Sequence, residues 1–335
     1  MFRLGIPRAL LYYQYYPMWQ TFFTGLGAEM VVSPPTTQAM LGEGSARVVA
    51  DTCLPVKIFL GHVLALVGKC DFIFIPAIRS VKRNIYNCAK FLGLPDMTRA
   101  VIPECPPILD TEIDINRGKL RLYQAVYQLG RHFSWNPLRV RQAGRDAWQA
   151  HLDYRELMAH HQLTPVEAIA RISGTPDVPP RASSGPPNSS RATIALIGHP
   201  YLLYDSYLNH QLIKRLKQGN NRVLTPEMLT PGELAAATSR MVGKAYWTYE
   251  EEVVGAGGHY RQSGADGVIG LMAFGCGPDS LMMDMVRRET AGKKTTSFLN
   301  LTLDEHTAEA GLLTRLEAFT DMIYRRKGRE LTVCV

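Results

Sequence analysis

The 335-residue chain carries 37 Lys and Arg against 30 Asp and Glu, a formal net charge of +7, with 46% hydrophobic and 20% charged residues. That is the profile of an ordinary globular protein, long enough for two domains, with a mild bias toward anionic partners. No run is basic enough for a nucleic-acid arm, six cysteines are too sparse for a disulfide scaffold, and no stretch has the length of a membrane span.

Met1 to Arg8 has neither a long uncharged apolar core nor a small-residue cleavage site. The expectation is a cytoplasmic, reducing location, where thiols stay available for metals or catalysis. Leu4-Gly5-Ile6-Pro7 reads as a short first strand. Leu10 to Gly25 follows as a helix, with Leu11, Tyr15, Trp19, Phe22 and Phe23 at near-helical spacing, stopped by Gly25-Leu26-Gly27. Ala28 to Pro34 is the next strand, so the chain opens with a β-α-β unit and a parallel sheet.

Asp51-Thr52-Cys53-Leu54-Pro55-Val56-Lys57 leads into an apolar helix from Ile58 to Val67, with Cys53 just before its amino end. Lys57 is expected on the solvated side of that helix. Cys70 adjoins the strand Asp71 to Pro76. Cys88 lies on a loop beyond that strand, after Arg79, Lys82 and Arg83. Val101-Ile102-Pro103 is read as a further strand, with Cys105 enclosed by prolines after it. Lys119 to about Ile172 reads as several helices, with Trp135 and Trp148 packed against them.

Ser173 to Ser190 has the composition of an exposed linker. This predicts an N-terminal α/β domain over residues 1–172 with a helical segment at about 119–172. A flexible linker at 173–190 and a C-terminal α/β domain over 191–335 complete the chain. In the second domain Ile197-Gly198-His199-Pro200, a helix to Lys217 and Arg222 to Pro226 parallel the opening of the first, a weak internal repeat.

Gly267 to Phe274 is a continuous apolar run, the pattern of a strand buried on both faces. It breaks at Gly275-Cys276-Gly277-Pro278, and Asp279 or Ser280 is expected to cap the helix that follows. Cys276 is thereby placed at a strand's carboxyl end and a helix's amino end, where open α/β sheets bind ligands and where a thiolate is favoured. Cys53, Cys88 and Cys276 occupy comparable places. If the two domains face one another across a cleft, the three converge and leave one coordination position open. His199, at a strand end, is a candidate proton donor or hydrogen-bond partner.

Long stretches of both domains resemble the activase-related branch of the 2-hydroxyacyl-CoA dehydratase/benzoyl-CoA reductase superfamily. In the first domain they are Leu4-Gly-Ile-Pro-Arg-Ala-Leu-Leu-Tyr-Tyr, Val32-Ser-Pro-Pro-Thr, Thr52-Cys-Leu-Pro-Val-Lys, Gly61-His and Cys88-Ala-Lys-Phe-Leu-Gly-Leu-Pro-Asp. In the second they are Ile197-Gly-His-Pro-Tyr, Phe274-Gly-Cys-Gly-Pro-Asp-Ser and Asp304-Glu-His-Thr. The resemblance implies two flavodoxin/Rossmann-like parallel-sheet domains and a [4Fe-4S] cluster held between them by three cysteines, by motif position Cys53, Cys88 and Cys276. It implies single low-potential electron transfer to an acyl-CoA or similar small molecule in anaerobic metabolism, recharged by a separate ATP-hydrolysing activator protein. The chain lacks a Gly-rich phosphate-binding motif, so ATP hydrolysis is assigned to that partner.

Cys70 and Cys105 leave open a double cubane, although a structural role is the simpler reading of each. Two other readings stand beside the cluster. One makes Cys276 the thiolate nucleophile of a hydrolase or transferase with His199 as base. The other makes the chain a non-catalytic partner or assembly factor of the activator. A homo- or hetero-oligomer fits any of them; nucleic acid and membrane are not expected partners.

Overall fold

The computed structural model describes residues 2–174, 191–290 and 296–333. The expected linker falls almost wholly outside them. The chain divides into two compact units. Unit 1 holds the residues up to Leu157 together with Ala245–Thr248, and unit 2 holds Met158–Lys244 and the residues from Tyr249 onward.

Unit 1 opens with β1 (Arg3–Ile6), α1 (Tyr12–Gly25) and β2 (Glu29–Val32). Next come α2 (Gln38–Ser45), α3 (Leu54–Leu64) and β3 (Phe72–Phe74). β4 (Ala77–Ser80) leads to the short α4 (Ala89–Leu92), α5 (Leu94–Val101), β5 (Ile108–Leu109) and β6 (Glu112–Asp114). The strands form a parallel sheet in the order β2-β1-β3-β5, with β4 and β6 as a separate parallel pair. Tyr12, Tyr13 and Tyr16 on α1 are buried, so this aromatic cluster belongs to the core.

The helical segment is α6 (Lys119–Arg131), α7 (Pro137–His161) and α8 (Pro165–Ile172). Tyr154 is fully buried and its hydroxyl donates to the Tyr13 carbonyl at 2.7 Å, tying α7 to α1. Trp135 and Trp148 do not pack inside as expected. Trp135 is 77% exposed, with the Arg131 guanidinium over its ring at 4.4 Å, and Trp148 is likewise exposed. Val101-Ile102 also differs from expectation. It closes α5 rather than forming a strand, because Pro95 near the start and Asp96 in the first turn favour a helix whose apolar face ends there.

Unit 2 repeats the plan. β7 (Ala192–Gly198), α9 (Pro200–Leu203), α10 (Leu212–Gln218) and β8 (Asn221–Leu224) lead to α11 (Pro231–Val242) and α12 (Ala256–Gln262). Then come β9 (Gly267–Ala273), α13 (Gly277–Thr290), β10 (Ser297–Leu303) and α14 (Glu309–Val333). Thr164 and Glu167 form a capping box on α8, and Thr230 and Glu233 form another on α11.

The second sheet runs β8-β7-β9-β10, all parallel. Numbered within its unit, each four-stranded sheet has the order 2-1-3-4 of a flavodoxin-like fold. Its switch point, where ligands bind, lies between the first and third strands. In unit 2 that point is at the carboxyl ends of β7 and β9, whose register pairs Gly198 with Leu271.

Candidate functional site

In unit 2, β7 delivers His199 to the switch point. Gly198 has φ +153°, and a Cβ there would press on the Leu271 carbonyl at 2.6 Å, so only glycine lets β7 lie this close to β9 before the chain turns. His199 is the residue before α9 and is only 4% exposed.

β9 delivers the other side. α13 begins at Gly277, directly after Cys276, with Pro278 in its first turn. The expected cap by Asp279 or Ser280 is therefore one turn off. Ser280 Oγ instead donates back to the Cys276 carbonyl at 2.9 Å. Asp279, 0% exposed, turns inward; its Oδ2 accepts the Ala273 backbone N–H at 3.2 Å. Its Oδ1 lies 3.0 Å from His199 Nδ1, and that nitrogen also meets the Tyr201 hydroxyl.

One donor atom from each of His199, Cys276 and Asp279 lies within 4.8 Å of the others. The other ring nitrogen, His199 Nε2, is sealed from solvent without a hydrogen bond. Buried polar atoms are seldom left so. Tyr249 packs on the imidazole at 4.6 Å between ring centres.

In unit 1, Cys53 is the residue before α3 and Cys88 the residue before α4, both half-buried thiols. The loop to Cys53 is held by Lys57, which is not solvated as expected. Lys57 is 2% exposed, and its Nζ donates to the Ala50 carbonyl at 2.9 Å. α3 lies tightly on α2, because a Cβ on Gly61 would overlap the Met40 carbonyl and one on Gly44 the Lys57 carbonyl. Asn87 anchors the loop to Cys88, its Nδ2 donating to the Ile78 carbonyl of β4 at 3.3 Å.

One contact joins the two cysteine segments of this unit. Lys90, two residues after Cys88, places its Nζ 3.5 Å from Cys53 Sγ.

Cys70, Cys105 and Arg79 have structural settings of their own. Cys70 is buried, with Sγ 3.5 Å from the Leu66 carbonyl. Burial and the neighbouring Cys70 push the Cys105 thiol up to about 11, so neither sulfur is disposed to be a thiolate. Arg79 pairs with Glu112 and Asp114 at 3.6 and 3.7 Å. Asp279 is the site residue the sequence reading missed. Its only local signal was a carboxylate three residues after Cys276, and its partner His199 comes from a different strand.

No described helix is long and apolar enough to cross a membrane. A search of the curated proteins returned no match to the chain. A family model described as the CoA enzyme activase uncharacterised domain matches residues 3–229, more than half of the chain, and that span includes Cys53, Cys88 and His199 while Cys276 and Asp279 lie beyond it. The chain thus belongs to the CoA enzyme activase uncharacterised domain family, in the activase-related branch of the 2-hydroxyacyl-CoA dehydratase superfamily.

Proposed function

We propose that Cys53, Cys88 and Cys276 hold a [4Fe-4S] cluster and that the chain passes single low-potential electrons in an ATP-dependent acyl-CoA dehydratase- or reductase-like system. A separate ATP-hydrolysing activator would recharge it. The observation that carries this reading is the common setting of the three thiols. Each is half-buried and each is the residue directly before a helix; Cys88 and Cys276 follow the loops leaving β4 and β9, and Cys53 follows the loop leaving α2. Family membership supports the substrate class and the partner.

The donor set fits such a group. Thiolates are the ligands of iron–sulfur clusters, and three of them leave one iron position for an outside ligand. The Lys90 ammonium at Cys53 offsets anionic charge and would raise the potential of a group bound there. When bound, the cluster would supply one-electron transfer; the chain's own residues would set its ligation, its charge environment and its access to solvent.

A cysteine-nucleophile reading finds less support. In a cysteine–histidine–aspartate relay the carboxylate and the sulfur lie on opposite sides of the imidazole. Here the donor atoms of Cys276 and Asp279 stand within 4.8 Å of one another.

Anaerobic reconstitution followed by iron analysis and electron paramagnetic resonance tests the proposal. About four irons per chain and a dithionite-reducible signal are expected. Cys276→Ala should lose the signal. Wild-type protein without iron after reconstitution, or a variant that keeps its full cluster, would sink the reading.

A further inference from the structure

We infer that unit 2 holds a metal site of its own, in which His199, Cys276 and Asp279 bind one divalent transition-metal ion of the zinc, cobalt or ferrous class. This goes beyond the cluster, because it needs neither Cys53 nor Cys88.

The first ground is spacing. Donors sharing one tetrahedral ion at bond lengths of ~2.0–2.3 Å sit roughly 3.5 Å apart. One donor atom from each of the three residues falls within 4.8 Å of the others, so small side-chain rotations close the set. The second ground is satisfaction. Asp279 is 0% exposed and His199 4%, and His199 Nε2 is buried without a hydrogen bond while Nδ1 is taken by Asp279 and Tyr201. A cation bound at Nε2 gives that sealed nitrogen the partner it lacks.

The third ground is support. Asp279 Oδ2 is fixed by the Ala273 N–H, and the Tyr201 hydroxyl meets the imidazole. Partners of this kind orient the ligands of a metal. An imidazole with a thiolate selects zinc-like ions over magnesium or calcium, and three protein ligands leave a fourth position open. Because Cys276 serves both groups, the single ion and the cluster are alternative occupants of that sulfur.

The test uses the full chain carrying Cys53→Ser and Cys88→Ser, stripped with chelator under anaerobic reducing conditions and titrated with Co2+. One equivalent should bind, giving a thiolate-to-cobalt charge-transfer band and the strong visible absorption of four-coordinate cobalt. Adding Cys276→Ser should abolish the band, which excludes Cys70, Cys105 and Cys334 as its source. Adding His199→Ala or Asp279→Asn should each weaken cobalt binding at least tenfold, with circular dichroism confirming that each variant is folded. Asp279→Asn keeps an acceptor for the Ala273 N–H and serves if His199→Ala does not fold. No charge-transfer band in the double variant, or unchanged affinity in a folded His199→Ala or Asp279→Asn protein, overturns the site. The cluster proposal is judged on wild-type iron and its paramagnetic signal, so failure of one leaves the other standing.

Discussion

Two buried histidines, one in each unit, show how differently the same side chain is used. His62, near the end of α3, is fully buried, with Nδ1 2.8 Å from Ser33 Oγ and Nε2 2.9 Å from Thr36 Oγ1. Ser33 Oγ also accepts the Arg8 backbone N–H at 2.8 Å. Every polar atom of that ring has a partner, and the network ties the loop after β2 to the helix that follows Cys53. His199 is nearly as buried, yet only its Nδ1 is engaged, by Asp279 and Tyr201, and its Nε2 is without a hydrogen bond. A histidine with both nitrogens occupied closes a structure. One with a sealed, unoccupied nitrogen beside a carboxylate and a sulfur is set up to receive something.

Acid should break the first histidine most severely. Burial, with the Arg8 charge second, pushes His62 down to about 3 from 6.5. The folded protein therefore needs the neutral ring, while the unfolded chain takes up a proton below pH 6.5. The stability that depends on this is intact above pH 6.5 and is lost as the pH falls toward 3, by about 3 kcal/mol already at pH 4. Chemical denaturation of wild type and His62→Gln at pH 7 and pH 4 should show the gap between them shrinking by about that amount. A gap independent of pH would mean that the Ser33–His62–Thr36 network holds a charged ring and is not the closed joint described here.

A somewhat smaller loss is expected from the glycine that precedes His62. Gly61→Ala pushes a methyl into the Met40 carbonyl, so α2 and α3 must separate. Overpacking of this kind costs about 2 to 3 kcal/mol. Gly232→Ala in α11, where the added methyl meets open space, should change stability by less than about 0.5 kcal/mol. If the Gly61 variant is equally silent, tight helix contact is not what fixes the loop carrying Cys53.

The contrast between the two histidines was only half visible in the amino-acid sequence. The apolar run of β9 ending in Gly-Cys-Gly-Pro placed Cys276 at the right end of a strand, since that pattern is local. Cys53 before Pro55 placed a helix start equally well. The 2-1-3-4 order of both sheets was not readable, because it depends on which distant strands pair. That pairing, Gly198 against Leu271, is what brings His199 to Asp279. Asp279 therefore read as a cap, its commonest role near a helix start. Lys57 read as solvated because a lysine in an apolar helix normally reaches water, and only the fold shows the Ala50 carbonyl waiting for it. Val101-Ile102 read as a strand because two β-branched residues before a proline satisfy that pattern as well as they satisfy the last turn of a helix.

The subtlest prediction sharpens the comparison by asking what each histidine does when metal is absent. Asp279→Asn removes a buried carboxylate but keeps an acceptor for the Ala273 N–H. In metal-free protein its effect on stability should be small, within about 1 kcal/mol, because the amide keeps the shape of the side chain and the bond from the Ala273 N–H while a buried charge is removed. With Co2+ at a hundred times its dissociation constant, wild type should gain roughly 2.7 kcal/mol, and a variant with tenfold weaker binding should gain about 1.4 kcal/mol less. Thermal or urea denaturation with and without Co2+ measures both. The gap between wild type and His62→Gln should not depend on the metal, because that ring already has its partners. A metal-dependent gap at His62, or equal cobalt stabilisation of wild type and Asp279→Asn, would erase the distinction drawn between them.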